Sequence, residues 1–270
     1  MLKKNTTKED FSLLSKKAPE KGLLLNWVRS SGRGNSGRIT SRHRGGGVKK
    51  TYRMIDFSQD KLGMPAKVLA FEYDPYRTSF IALLEHNDKE KRYVLAPQGL
   101  KVGDSVICEE KTELLPGNRM RLKNISVGAQ VYNIEVTPNR GGKMVRGAGT
   151  SAQVLAQEGK YTHLKMPSSE IRQILGDCFA SVGALSRGEH IYIKLGKAGA
   201  SRYRGKRPHV RGSAMNPCDH PHGGGNGKTP IGMATPKTPW GKPARGVKTR
   251  KRSWTNKYII QRRQKHGKKS

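Results

Sequence analysis

The sequence predicts an all-β protein, two small barrels held between long, basic, irregular arms. Three observations carry that expectation. Short alternating apolar runs recur through the middle of the chain, with turn residues between them. Positive charge concentrates at both ends. Only 34% of the 270 residues are apolar and 6% aromatic, too few to bury one core from end to end.

The N-terminal arm, 1–60, carries 14 Lys/Arg against 5 Asp/Glu. The first barrel is expected over 61–127. Residues 68–73 (VLAFEY) alternate and stop at Asp74-Pro75, where proline cannot continue a ladder. Residues 78–84 and 93–96 come next, the second run ending at Pro97-Gln98-Gly99, and Pro116-Gly117-Asn118 marks a turn. The join is placed near 126–129 and the second barrel over 128–200. There 131–136, 152–157, 162–166 and 191–195 alternate with period two, while the glycines of 141–149 mark a loop. Residues 168–175 read equally as a helical turn or a strand. The last arm, 201–270, holds 19 Lys/Arg and a single acid, Asp219, with 7 of the 14 prolines and 10 of the 32 glycines. Such a segment cannot bury enough apolar surface to offset its conformational entropy. It is expected to order only against a partner that supplies countercharge.

A formal net charge of +33 points to a polyanionic partner. No run of about 18 apolar residues is present, which argues against a membrane-spanning helix. The opening MLKKNTTKEDFSLL lacks the apolar stretch of a secretory signal. Cys108, Cys178 and Cys218 form no CxxC pair, so free thiols in a reducing compartment are expected.

Three segments imitate enzyme motifs. Gly32-Arg33-Gly34-Asn35-Ser36-Gly37 spells a dinucleotide fingerprint, with Asp56 about 20 residues on. The adjoining segment 38–47 has no helical apolar stripe and ends in Gly45-Gly46-Gly47, so no helix N-terminus is available for a pyrophosphate. The stretch from His222 to Thr229 ends like a P-loop but puts histidine where glycine is required, and Pro217 and Pro221 forbid a preceding central strand. Its HGGG resembles an esterase oxyanion loop, yet the chain has no GxSxG elbow. Finally, Cys218, Asp219, His220 and His222 crowd within five residues. They offer metal ligands or an acid–base pair, but no second ligand pair stands at zinc-finger spacing. The plain reading is hydrogen bonding and stacking in a nucleic-acid crevice.

The basic tracts are rich in Arg and Gly. Arg donates bidentately to phosphate and stacks on bases, and Gly lets backbone approach a sugar–phosphate chain. Interleaved aromatics, Tyr52, Tyr203, Trp240, Trp254 and Tyr258, suit the loops and grooves of folded RNA. The side chains expected to contact RNA in the first arm are Arg33, Arg38, Arg42, His43, Arg44, Lys49, Lys50 and Arg53. In the last arm they are Arg202, Arg204, Lys206, Arg207, Arg211, His220, His222, Lys228, Trp240, Lys242, Arg245, Lys248, Arg250, Lys251, Arg252, Arg262 and Arg263.

With these residues in place a family resemblance emerges. It is carried by Gly37-Arg38-Ile39-Thr40 with Arg42-His43-Arg44-Gly45-Gly46-Gly47, by Tyr52-Arg53-Met54-Ile55-Asp56-Phe57 and by Glu72-Tyr73-Asp74-Pro75. Leu95-Ala96-Pro97-Gln98-Gly99-Leu100, Leu195-Gly196-Lys197-Ala198-Gly199 and the run from Val210 to Pro217 continue it. Asp219-His220-Pro221-His222-Gly223-Gly224-Gly225 and Thr238-Pro239-Trp240-Gly241 complete it. From about Pro19 on, the chain resembles the universal large-subunit ribosomal protein two family in its bacterial-type form. The resemblance implies an OB-like barrel followed by an SH3-like barrel, with two extensions. It implies binding to large-subunit rRNA near the subunit interface, among neighbouring ribosomal proteins, with the small subunit across the interface and tRNA an indirect partner. It also implies support for subunit association, tRNA binding and the peptidyl-transferase region.

No enzyme activity and no cofactor are implied, beyond Mg²⁺ or K⁺ shared with rRNA. The family's much-discussed histidine falls on His220, beside Asp219, and peptidyl transfer is read as the work of RNA. The alternatives are a catalytic role for His220 and a histone-like DNA-binding protein. The compartment expected is bacterial cytoplasm, with a plastid or mitochondrial ribosome as the alternative. Three departures stand out: the first 18 residues lack the family's basic opening, Cys218 replaces a customary Val, and Ala184-Leu185-Ser186-Arg187 replaces a customary turn.

Overall fold

A computed structural model describes residues 7, 10–227 and 229–263. Chain contacts divide it into two compact units. The barrel unit comprises 1–28, 49–196 and 255–270; the basic unit comprises 29–48 and 197–254.

In the barrel unit, β1 (Leu24–Leu25) pairs antiparallel with β2 (Tyr52–Arg53). Next comes a four-stranded antiparallel sheet, built from β3 (Ala66–Glu72), β4 (Ile81–His86), β5 (Lys91–Leu95) and β6 (Ser105–Val106) in the order β5-β4-β3-β6. Its register sets Val68 opposite Leu84 and Leu83 opposite Tyr93, with an irregularity between Val68 and Ala70. One face packs Ala66, Val68, Ala82, Leu84, Val94 and Val106 with Phe80. The other packs Ile81, Leu83 and Tyr93 against Leu23, Ile55 and Leu69. Burial on both faces is why β4 reads Ile-Ala-Leu-Leu without alternation.

The second sheet has seven strands: β7 (Arg119–Arg121), β8 (Gln130–Tyr132), β11 (Ala152–Glu158), β12 (Tyr161–Lys165), β13 (Ile171–Leu175), β14 (Phe179–Val182) and β15 (Ile259–Gln261). Between β8 and β11 lies a ribbon of β9 (Ile134–Glu135) and β10 (Gly142–Met144). The sheet order is β15-β13-β12-β11-β8-β14-β7, and it curls around Met120, Leu122, Val131, Val154, Leu164 and Ala180. The fold is therefore all-β, with one short α-helix, α1 (Ala198–Tyr203), among the described residues.

Several expectations change here. Residues 191–195 are not a strand: Gly188–Tyr192 forms a 3-10 turn that exposes Ile191 and Tyr192. An alternating pattern without a neighbouring strand to pair with has no ladder to join. Residues 171–175 resolve as a strand, because they pair with both β12 and β15. β14 had no alternation to reveal it, since all four of its residues are buried. Arg119–Arg121 pairs with β14 on one side, and on the other its backbone bonds to 107–110, the continuation of β6. Residues 259–261, counted with the last arm, form β15 at the edge of the second sheet.

On the face of the second sheet turned away from Met120 and Ala180, Arg119 and Glu135 are buried at 0% and 1% exposure. The Arg119 guanidinium donates to Glu135 at 3.1 Å and to the Asn133 carbonyl at 2.8 Å. Glu135 also accepts the backbone N–H groups of Asn139, Gly141 and Phe179, each at 3.1 Å. One carboxylate thus ties the loop after β9 to β14. A buried charge pair persists only when its remaining lone pairs are satisfied in this way.

The described part of the atypical opening packs on the first barrel. The Ser15 N–H donates to the Phe71 carbonyl at 2.8 Å. The Phe11 ring lies edge-on to Tyr73 and Phe80. Arg187, from the atypical turn of the second barrel, sits over all three rings at 5.4 to 5.8 Å. Cation–π contact of this kind contributes about 0.5–2 kcal/mol per pair, depending on desolvation.

Candidate nucleic-acid interface

The basic unit carries nineteen Lys/Arg and one acid, Asp219. It contains no extended sheet among the described residues. Isolated antiparallel bridges join Arg33 to Ile39, Arg44 to Lys206 and Lys237 to Pro243. Most of the side chains assigned to RNA contact stand exposed on it: Arg33, Arg38, Arg42, Arg44, Arg202, Arg204, Lys206, Arg207, Arg211, Trp240, Lys242, Arg245, Lys248, Arg250, Lys251 and Arg252.

The fold brings some of these together. Arg42 lies 5.0 Å over the Trp240 ring, although the two come from opposite arms. The His43 ring lies tilted against His209, centroids 4.4 Å apart, and His220 lies likewise against His222 at 4.7 Å. Arg44 and Lys206 face each other across a bridge. Lys49, Arg262 and Arg263 are exposed on the barrel unit, where Arg262 donates to Asn256 at 3.2 Å. Lys50 and Arg53 are half-buried there and occupied: Lys50 donates to the Pro75 carbonyl at 2.9 Å, Arg53 to the Thr51 carbonyl at 3.3 Å. Lys228 lies outside the described residues.

His220 is the one buried imidazole of the set, at 7% exposure. Its ring packs on bare backbone: a Cβ at Gly212 would lie 2.4 Å from it, so only glycine fits there. Nδ1 of His220 accepts the His222 N–H at 3.0 Å, which places the proton of the neutral ring on Nε2. The His222 Nε2 in turn accepts the Lys237 N–H at 2.9 Å. Burial pulls the His220 pKa below the usual histidine value, and nearby His222 and Arg42 pull the same way. Asp219 is exposed and its backbone N–H donates to the Asn216 carbonyl. With Nδ1 committed to a backbone amide, His220 is built to hold a turn, and Asp219 is not oriented on it as in a catalytic pair. Among the described residues no group of three or more His, Cys, Asp or Glu side chains could hold a metal ion.

Sequence reasoning does not reveal an arginine–aromatic cluster on the barrel unit. Arg77 donates to the Tyr52 hydroxyl at 2.9 Å, pairs with Asp74 and lies 5.3 Å over Phe57. Arg146 lies over the same ring at 4.5 Å. Burial, with Arg77 nearby, lowers the Arg146 pKa. The legible signal is the loop 141–149, where Lys143 and Arg146 follow Arg140 among the glycines.

Curled sheets with exposed arginine, lysine and aromatic side chains, and a unit almost devoid of carboxylates, define an RNA-binding β-barrel protein. Two family models match the chain. The RNA-binding N-terminal domain of ribosomal proteins L2 matches residues 20–108, and the C-terminal domain of ribosomal proteins L2 matches residues 115–241. The chain belongs to the ribosomal protein L2 family, and its role is that of a structural, RNA-binding ribosomal protein of the large subunit. Among the described residues no helix is long and apolar enough to cross a membrane.

Proposed function

We propose that the chain is a primary rRNA-binding constituent of the large subunit, seated near the subunit interface. There it supports subunit association, tRNA binding and the RNA around the peptidyl-transferase region. Its partners are large-subunit rRNA, adjacent ribosomal proteins, the small subunit across the interface and, indirectly, tRNA. Its setting is a bacterial or organellar ribosome, and Mg²⁺ or K⁺ is shared with the RNA. The observation that carries this reading is the stoichiometry of the basic unit: nineteen cations against Asp219 alone. Charge at that density repels itself unless a polyanion is threaded among it. His220 acts through position, since its Nδ1 already accepts a protein amide.

Filter binding of the full chain to large-subunit rRNA, across a range of salt, tests the reading. The log–log slope is expected near −0.7 to −0.9 per phosphate neutralised. A chain ending at Ser201 loses β15 and is expected to unfold cooperatively at a somewhat lower urea midpoint, lose roughly a thousandfold in affinity at physiological salt and show a much shallower slope. A flat salt response of the full chain, or equal affinity for duplex DNA, would refute it. In assembled ribosomes, His220→Gln and His220→Ala are expected to impair assembly or tRNA placement. Loss of peptide-bond formation with tRNA binding intact would instead make His220 catalytic.

A further inference from the structure

Within the basic unit, two segments far apart in sequence, 45–48 and 202–207, line an open cavity of about 370 Å³. Its floor is Gly45, Gly46 and Gly47; its walls carry Arg202, Tyr203, Lys206 and Arg207. The Gly45 N–H donates to the Gly205 carbonyl at 3.1 Å, the Val48 N–H to the Tyr203 carbonyl at 3.0 Å, and the Arg207 N–H to the His43 carbonyl at 3.0 Å. Arg29 donates from behind to the carbonyls of Gly46, at 3.0 Å, and Val48. The segments approach so closely that a Cβ at Gly47 would lie 2.6 Å from the Tyr203 carbonyl oxygen, and its φ of +88° also favours glycine. The floor is therefore bare backbone. Among the described residues, the N–H groups of Gly46 and Gly47 make no hydrogen bond.

The lining chemistry is selective. Tyr203 is 62% exposed, a flat platform set among three cations. A small anion would satisfy the cations and leave the ring unused. A duplex presents phosphates but keeps its base faces stacked and is far too wide for this space. A nucleotide that has left its stack offers both a base face and a phosphate. We propose that this cavity takes one unpaired rRNA nucleotide, its base stacked on Tyr203 and its phosphate held by Lys206 and Arg207 against the glycine floor. The proposal rests on the RNA-binding reading above and adds the class of ligand at one place in it.

The two side-chain roles separate experimentally in the full chain. Tyr203→Ala is expected to weaken rRNA binding about 5- to 150-fold, the range for loss of one stacked base, with the salt slope unchanged. Tyr203→Trp should retain affinity. Arg207→Gln should make the slope shallower by about 0.7 to 0.9, one phosphate contact. Photo-crosslinking of the unmodified chain in ribosomes should map a nucleotide adduct to Tyr203. Tyr203→Ala binding as tightly as the original, or an adduct absent from the Tyr203 peptide, overturns the nucleotide cavity. Failure of the unmodified chain to bind rRNA at all would overturn the functional reading itself, a distinct outcome.

Discussion

Arg119 and Arg211 stand in the two compact units of this chain and meet opposite surroundings. Arg119 is fully buried, its guanidinium spent on Glu135 and the Asn133 carbonyl. Around it the barrel unit matches other cations to carboxylates. Arg92 reaches Asp56 at 2.7 Å and Glu90 at 2.8 Å, and Arg121 reaches Glu110 at 2.6 Å. Arg211 is exposed in a unit whose whole supply of carboxylate is Asp219. In one unit positive charge closes a protein interior; in the other it is left for a foreign polyanion. The same side chain therefore answers to different measurements in each.

The largest contrast is expected between Glu135→Ala and Arg211→Met. Removing Glu135 strands a buried guanidinium and three backbone N–H groups, and should cost about 3–5 kcal/mol in urea unfolding. Arg211→Met should stay within about 0.5 kcal/mol in stability while weakening rRNA binding and flattening its salt dependence. A stable Glu135→Ala barrel, or an Arg211→Met chain that unfolds early, would erase the distinction.

Histidine sharpens it at intermediate size. His86 in the barrel unit and His220 in the basic unit both have pKa values below the ordinary range, with burial the leading cause in each. Lys61 and Arg92 add to the effect at His86, His222 and Arg42 at His220. A folded pKa below the unfolded one means that the order it supports is intact above about pH 6.5 and is lost as pH falls through the folded value. Proton NMR titration should show both rings with depressed midpoints. The His222 amide signal should move with the His220 midpoint, because that amide donates to its Nδ1. An amide that ignores the titration would place the proton elsewhere.

The smallest effect is chemical. Burial pushes the Cys108 and Cys178 thiols up to about 12, whereas Cys218 in the basic unit is exposed. Thiol-specific labelling near neutral pH should therefore modify Cys218 in the native chain and reach the other two only after denaturation. Prompt labelling of either barrel cysteine would show that its core opens readily.

The sequence made some of this legible and hid the rest for physical reasons. Strands with one buried face, such as β11 and β12, announce themselves by alternation. β14 does not, because a strand inside a curled sheet is buried on both sides. The apolar period at 191–195 misleads because pairing, which no local pattern encodes, decides whether a strand forms. Charge is a local property, so the arginines and lysines of both arms could be read directly. The juxtaposition of Gly47 with Tyr203 and of Arg42 with Trp240 could not, since each joins residues from opposite arms of the chain. Arg77 and Arg146 were overlooked because their common partner, Phe57, lies in a third segment.

The close crossing of Gly47 and Tyr203 also imposes an order of events during synthesis. The glycine-rich floor emerges early from the translating ribosome, yet it has no walls until most of the polypeptide has been made. A partly synthesised copy can attract nucleic acid by charge alone, but it lacks the second wall that the proposed nucleotide cavity requires. Discrimination is thereby deferred to finished molecules, which would keep immature copies from occupying the places in a growing particle that only complete ones can fill.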